Sequence, residues 1–221
     1  MANQQAAHAA FEPSVVASRP ELAGAVVLDA VDTLTFRRSA PARAAAKRVL
    51  DIVVALAAAI VFLPLMLVIA VAVALTHRGS VLVTEWRVGL DGERFAAVRF
   101  RTQGESNRHR SPLGRALYRS RLDELPQIIN VLLGDLSVVG PSAASPEETA
   151  RLTAVLRGYG LRHLVRPGLT GWSQTMGDWS HGDASRRLAY DLYYVRHCGL
   201  WMDLRILART AFLMLLGRTG R

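Results

Sequence analysis

An α+β chain, mainly helical, is what this sequence predicts. It would comprise a membrane helix hairpin that re-enters one leaflet, amphipathic helices lying in the interface, and a small globular part with a β-hairpin. Three observations carry that expectation. Ile52 to Leu75 is a run of 24 residues without a charge, interrupted only by Pro64. Two apolar and β-branched runs flank Gly89-Leu90-Asp91-Gly92, and most of the chain beyond them has helical patterning between glycine and proline stops.

The first 40 or so residues are rich in alanine, carry Pro13 and Pro20, and have no apolar core next to a small-residue cleavage site. Residues 1–42 are therefore expected to be a mobile arm rather than a signal peptide. Residues 43–78 hold the apolar run. At about 1.5 Å per residue such a helix is long enough to cross a bilayer core of about 30 Å. Pro64 sits near its centre, where it removes a backbone hydrogen bond and bends the helix. Basic residues flank both ends: Arg37, Arg38, Arg43, Lys47 and Arg48 before it, Arg78 and Arg87 after it. A spanning helix and a re-entrant hairpin both fit the length; the proline and the two basic flanks favour a hairpin in the cytoplasmic leaflet, with those cations at anionic headgroups. A buried helix of a soluble protein is disfavoured by the length of the run.

Residues 79–221 are expected to form a cytoplasmic, membrane-associated domain. Val81 to Val83 and Phe95 to Phe100 read as the strands of a hairpin around the Gly89–Gly92 turn. Leu113 to Tyr118, Leu125 to Leu133 and Glu147 to Arg157 read as short helices. The last is opened by Ser145-Pro146 as cap and first helical residue, with Glu147 and Glu148 in its first turn. Pro167-Gly168 and Gly171 mark a turn around Trp172, and Ala184 to Arg196 is a further helix. Leu200 to Leu216 mixes Leu200, Trp201, Leu204, Leu207 and Leu215 with Arg205, Arg209 and Arg218. It suits a helix in the headgroup plane or one packed on the domain core.

A formal charge of +9, from 27 Lys and Arg against 18 Asp and Glu, favours anionic partners: nucleic acid, acidic lipid or a phosphorylated substrate. Aromatic residues are few and no nucleic-acid-binding motif occurs, which argues against nucleic acid. Cys198 is the only cysteine, so no intramolecular disulfide can form, and the six histidines lack zinc-ligand spacing. A reducing, cytoplasmic setting fits best.

The most informative block is Arg121-Leu122-Asp123-Glu124-Leu125-Pro126-Gln127, followed by Asn130 and then by Gly134-Asp135-Leu136-Ser137-Val138-Val139-Gly140-Pro141. It sets two adjacent carboxylates among arginines, a proline and a glycine-bounded turn, downstream of the apolar run, and suggests phosphate chemistry at a membrane surface. An isolated Asp-Glu pair would do no more than complement a helix dipole.

Ordered pieces on both sides of that block carry a family resemblance. Before it come Lys47-Arg48 with Asp51, then Arg87-Val88-Gly89 with Asp91-Gly92 and Phe95, then Arg99-Phe100-Arg101-Thr102. After it come Pro167-Gly168-Leu169-Thr170-Gly171-Trp172 with Gln174, Asp191 with Tyr193-Tyr194, and Asp203-Leu204 before Thr210. The chain from Lys47 to about Thr210, roughly three quarters of the sequence, thereby resembles the bacterial sugar transferase family, the monotopic phosphoglycosyl transferases.

The resemblance implies an enzyme at the cytoplasmic face of the bacterial inner membrane. Such an enzyme moves a sugar phosphate from a UDP-sugar to undecaprenyl phosphate, releases UMP, and starts exopolysaccharide or glycoconjugate assembly beside other polysaccharide assembly proteins. It also implies Asp123 as nucleophile, through a phosphosugar aspartyl intermediate and ping-pong kinetics, and Glu124 as a ligand of Mg2+. An anion must attack a phosphorus already surrounded by negative oxygens, so metal and arginines lower the barrier. Arg99, Arg101, Arg119 and Arg121 are the candidate phosphate-binding cations, each with a solvated basic face as its alternative. Trp172 and Gln174 are candidates to shape the nucleotide or sugar pocket, with core packing the favoured reading for Trp172.

The chain also departs from the family pattern. Ser142, Tyr118 and Asp178 stand where the family commonly carries arginine, and the Gly104 to Pro112 linker is short. Losing one phosphate-facing cation can cost on the order of 2–4 kcal/mol of transition-state stabilisation. A non-catalytic, membrane-anchored paralogue serving as a scaffold in polysaccharide assembly is therefore the alternative function.

Overall fold

The computed structural model describes residues 41–76, 79–103, 110–176 and 184–216. The expected arm up to residue 40, His77, Arg78, residues 104–109 of the short linker, Asp178 and Arg218 lie outside the described residues.

The first helix, α1 (Pro41–Thr76), is 36 residues long and contains Pro64. Where the sequence predicts a break, the backbone stays helical. Proline removes only its own donor, so one bond, to the Ile60 carbonyl, is lost while the rest of the ladder can persist. Two parts of α1, one on each side of the proline, pack against the same globular body. Ala55 lies in the main core with Ile128, Val131, Leu136 and Val138. Ile69 and Val73 form a second cluster with Phe100 and Leu117, each burial contributing about 1.5–3 kcal/mol. Between these footholds the helix is apolar and bare, with Ile60 75% exposed and Val61, Leu63, Leu67 and Val68 also exposed.

Polar side chains tie the first turns of α1 to the body. Lys47 Nζ donates to Asp203 Oδ2 at 2.7 Å and to the Val139 carbonyl at 3.0 Å. The Tyr194 hydroxyl meets the other oxygen of Asp203 at 2.7 Å. Asp51 Oδ1 accepts from the Ser137 hydroxyl and from the Val138 N–H, both at 2.9 Å. Arg48 donates to the carbonyls of Val131 and Leu132 at 2.5 and 2.7 Å, which are orphan acceptors at the end of a later helix.

Strands β1 (Leu82–Val88) and β2 (Arg94–Phe100) pair antiparallel, with Leu82 opposite Phe100 and Val88 opposite Arg94. This is the predicted hairpin. Side chains alternate along β2, so Phe95, Ala97 and Arg99 share the inward face, which places a guanidinium in line with the core.

Helix α2 (Pro112–Ser120) starts at Ser111, whose hydroxyl accepts from the Gly114 N–H at 2.9 Å. A 3-10 turn (Leu122–Gln127) then runs into α3 (Ile128–Leu133). The sequence predicts one helix over Leu125 to Leu133; Pro126, which has no donor, leaves its first part as the tighter turn. Short strands β3 (Ser137–Val139) and β4 (Gly168–Thr170) form a parallel pair that the sequence reading does not contain.

Helix α4 (Pro146–Val155) has the predicted cap, Ser145 Oγ accepting from the Glu148 N–H at 3.1 Å. After a 3-10 turn at Tyr159–Leu164 come α5 (Trp172–Met176), α6 (Ala184–His197) and α7 (Leu200–Leu215). Of the two expectations for α7, packing on the domain core holds along one face. Ile206 and Asp203 are buried in the body, while Trp201, Leu204, Phe212 and Met214 remain exposed.

Candidate active site

The site is built where the hairpin meets the 3-10 turn after α2. Arg121 closes α2 in the left-handed region, at φ 58, a conformation costing a non-glycine residue on the order of 1–3 kcal/mol. The chain reverses there and delivers Asp123 and Glu124 to Arg99 on β2. Arg99 Nη2 donates to Asp123 Oδ2 at 2.7 Å and to Glu124 Oε1 at 2.9 Å. Its Nη1 donates to Glu85 Oε2 on β1 at 2.9 Å. Arg99 is 6% exposed and Asp123 1%, so this cation and the first carboxylate sit almost out of water.

Asn130 locks the two elements together. Its amide donates to the Ala96 carbonyl at 2.8 Å and to Asp135 Oδ2 at 3.0 Å, and its carbonyl accepts from the Val98 N–H at 3.0 Å. The helix that follows the carboxylates is thereby bonded to the strand that carries Arg99.

Burial alone would push the Arg99 pKa down. The carboxylates of Asp123, Glu124 and Glu85 outweigh it and hold that pKa above the ordinary arginine value. For Glu85, burial is likewise opposed, by Arg87 and Arg99, and its carboxyl titrates below the usual range.

Arg99 and Glu124 open onto a cleft of about 660 Å³, a size suited to a nucleotide-sized ligand. Seven arginines line it: Arg87, Arg99, Arg110, Arg121, Arg151, Arg162 and Arg187. Arg162, which also lines the cleft, is buried and makes several bonds. It donates to the Tyr159 hydroxyl and, at 2.7 Å, to the Ser142 carbonyl, and it lies 2.8 Å from Asp191 Oδ2. Burial raises the Asp191 pKa above the carboxylate norm despite Arg162. Burial also raises that of Tyr159.

The sequence candidates fall in three places. Arg99, Arg121, Glu124 and Gln174 line the cleft, and Asp123 lies directly behind Arg99. Arg101 turns back to the Ser80 carbonyl at 2.7 Å, and Arg119 is exposed on α2; neither lines the cleft. Trp172 is buried and stacked on Tyr193, with ring centroids 5.9 Å apart, as core packing requires.

Ser142 and Tyr118, two of the departures from the family pattern, both line the cleft. Ser142 offers its carbonyl to Arg162, and Tyr118 lies under the Arg110 guanidinium. Arg110, Arg151, Arg162 and Arg187 escape the sequence reading because nothing marks them out among the many arginines of a basic chain, and Arg87, read there as a basic flank of the apolar run and as part of a family motif, lines the cleft instead. Only the spacing of Tyr159 and Arg162, three apart on one turn, hints at a pair.

No cluster of three or more His, Cys, Asp or Glu side chains capable of enclosing a metal exists among the described residues. Magnesium does not need one, because it is commonly held by one or two carboxylates together with substrate phosphates and water. Glu124, partly exposed on the cleft wall with its second oxygen beside Arg99, fits that donor set. Glu124 stands at the edge of this polycationic cleft, whose guanidinium groups can neutralise phosphate oxygens; Asp123, 1% exposed behind Arg99, can reach a bound phosphorus only when Arg99 moves off it.

Comparison with known proteins gives the family. Residues 42–217 match the family described as "Bacterial sugar transferase". The chain is 37% identical over 182 residues to the UDP-glucose:undecaprenyl-phosphate glucose-1-phosphate transferase of Klebsiella pneumoniae, covering 75% of this chain and 39% of that protein. It is 32% identical over 195 residues to the UDP-N-acetylgalactosamine-undecaprenyl-phosphate N-acetylgalactosaminephosphotransferase of Aeromonas hydrophila, covering 82% and 46%. With the exopolysaccharide production protein PSS of Rhizobium leguminosarum bv. phaseoli it shares 35% identity over 184 residues, 74% of this chain and 92% of that one. The chain thus spans less than half the length of the first two relatives and nearly all of the third. By a match that takes in the long apolar helix, the carboxylate block and the cleft, this chain belongs to the bacterial sugar transferase family.

Proposed function

We propose that this protein is a phosphoglycosyl transferase that moves a sugar 1-phosphate from a UDP-sugar to undecaprenyl phosphate, at the cytoplasmic face of the bacterial inner membrane. The observation that carries the reading is the Arg99–Asp123–Glu124 cluster at the edge of an arginine-lined cleft. Once Arg99 turns from Asp123 toward the donor phosphates, an Asp123 oxygen attacks the phosphorus that bears the sugar. The bond from that phosphorus to the bridging oxygen breaks, and UMP leaves with the electron pair. The lipid phosphate then attacks the aspartyl phosphosugar, the carboxylate is restored, and the sugar diphosphate stays on the lipid. Glu124 is the residue to hold magnesium, which when bound supplies positive charge against the donor diphosphate. Arg99 fixes both carboxylates, and the cleft arginines neutralise the phosphate oxygens. Two relatives are named for different sugars, glucose and N-acetylgalactosamine, so the donor is identified by assay rather than by family.

The re-entrant reading of α1 belongs to the same proposal. Ala55 on one side of Pro64 and Ile69 and Val73 on the other rest on one body, which supports both ends of the helix lying on one side of the bilayer with Ile60 to Val68 dipped into it. Ala44→Cys and Ser80→Cys, each in a Cys198→Ser background, test this with a membrane-impermeant maleimide on intact cells. Protection of both agrees with re-entry; reaction of one alone means a span.

For the activity, the assay is UMP release from a panel of UDP-sugars by the purified protein with undecaprenyl phosphate and magnesium. Release with one donor, abolished in Asp123→Asn, is the expected result. Silence across the panel, together with an Asp123→Asn strain that still makes polysaccharide, would replace the enzyme by a membrane-anchored scaffold.

A further inference from the structure

We propose that Arg110, seated face-on against Tyr118, is a phosphate-binding residue of the cleft that grips a substrate phosphate group; the inference rests on the transferase reading above. The Arg110 guanidinium lies 3.8 Å from the centroid of the Tyr118 ring, and both residues line the cleft that also holds Arg121 and Glu124.

Three features make Arg110 a placed cation rather than a solvated one. Its backbone forms an antiparallel bridge with Gln103, just beyond the end of β2. Its carbonyl accepts from Arg115 Nη1 at 3.2 Å. The next residue, Ser111, is the cap of α2. Backbone and ring together hold the guanidinium in one position before any ligand arrives, so little side-chain entropy is left to lose on binding.

The charge balance of the cleft supplies the second argument. Arg99 is engaged by three carboxylates, Arg87 by Glu85, and Arg162 by Asp191. Arg110 makes no ion pair with a described residue, and its Nε is buried with no acceptor among them. The π-cloud of Tyr118 occupies one face of the cation, which leaves the in-plane donors for an oxyanion. A tyrosine at 118 thus still provides a positive charge at this place, indirectly, as the platform of an arginine from another segment.

The phosphate could be the donor's diphosphate or the lipid's monophosphate, and two assays on the full-length protein in nanodiscs separate them. One is the Kd for UDP with magnesium by calorimetry; the other is the KM for undecaprenyl phosphate at saturating donor. Arg110→Gln is expected to weaken one of these by roughly 10- to 100-fold, the worth of a charge-assisted hydrogen bond. Arg110→Lys should recover part of the loss, and Tyr118→Leu, which removes the platform, should weaken the same constant in the same direction. A loss confined to UDP places Arg110 on the donor, and one confined to the lipid places it on the acceptor. Unchanged constants in an Arg110→Gln protein that melts like the wild type overturn the proposal. A Tyr118→Leu protein that binds and turns over normally overturns the platform. A wild-type protein that neither binds UDP nor turns over overturns the transferase reading itself, and this inference with it.

Discussion

Removing the Arg99 guanidinium should be among the most damaging single substitutions outside the apolar core. Arg99→Ala deletes charge-assisted hydrogen bonds of 2.7 Å to Asp123, 2.9 Å to Glu124 and 2.9 Å to Glu85. The three do not weigh equally. The Glu85 side chain is 45% exposed and that of Glu124 23%, so both carboxylates can rehydrate, and each contact contributes at most about 1 kcal/mol. Asp123 has almost no surface to return to water. Stripping the cation from a buried carboxylate costs about 3–5 kcal/mol, so this contact dominates. At about 2–4 °C per kcal/mol for a protein of this size, the melting midpoint should fall by roughly 6–20 °C. The same substitution in an Asp123→Asn background should cost only about 1–2 kcal/mol, because the buried charge is gone, leaving a coupling of about 2–3 kcal/mol. Tryptophan-fluorescence melting of the four proteins of this cycle in nanodiscs at neutral pH is the assay. An Arg99→Ala protein that melts within about 2 °C of the wild type would refute the reasoning. So would an equal loss in both backgrounds.

Asn130→Ala removes the clasp between α3 and β2 and strands the Val98 N–H and the Ala96 carbonyl, so a loss of about 2–4 kcal/mol is expected by the same melting assay. Gly168→Ala would bring a Cβ within 2.0 Å of the Gly140 nitrogen and 2.6 Å of the Val139 carbonyl carbon. Backbone cannot yield as a flexible side chain can, so this variant should lose about 3 kcal/mol or more and become readily cut by protease. His163 is held below the ordinary histidine pKa, first by burial and then by Arg162. Its folded-state pKa lies under its unfolded value, so the unfolded chain binds more protons in that window. Its contribution to stability is complete above about pH 6.5 and falls as the pH drops toward the folded pKa. Melting midpoints between pH 7.5 and pH 5 should therefore fall less steeply for His163→Gln than for the wild type.

Local signals carry much of the fold into the sequence. The Ser145-Pro146 cap, the Gly89–Gly92 turn and the 24-residue apolar run each act over a few residues, and each lies where the sequence predicts it. The parallel β3–β4 pair is illegible because three-residue strands have no measurable period, and only the mutual close approach of Gly140 and Gly168 explains why both are glycine. The adjacent carboxylates can be read from their motif. Their partners cannot: Arg99 lies 24 residues from Asp123, and only the inward register of β2 shows which arginine of the hairpin meets it. Arg101, two residues on, looks identical in sequence yet bonds to the Ser80 carbonyl. Another part of the cleft lining, Tyr159, Arg162 and Asp191, is brought to Ser142 by tertiary packing alone.

The ion pair between Lys47 and Asp203 joins residues 156 positions apart. A ribosome adding about 5–20 residues per second needs roughly 8–30 s to traverse that interval. The apolar helix is therefore made, and can seek lipid, well before the carboxylate that holds its first turns exists. Lys47, Arg48 and Asp51 wait as bare charges until Val131, Ser137 and Val139 emerge, and the bond to α7 closes last. The long helix comes first in this order and docking of the globular body onto it comes later, so a chain cut short before α7 would carry the helix complete yet lack the final latch.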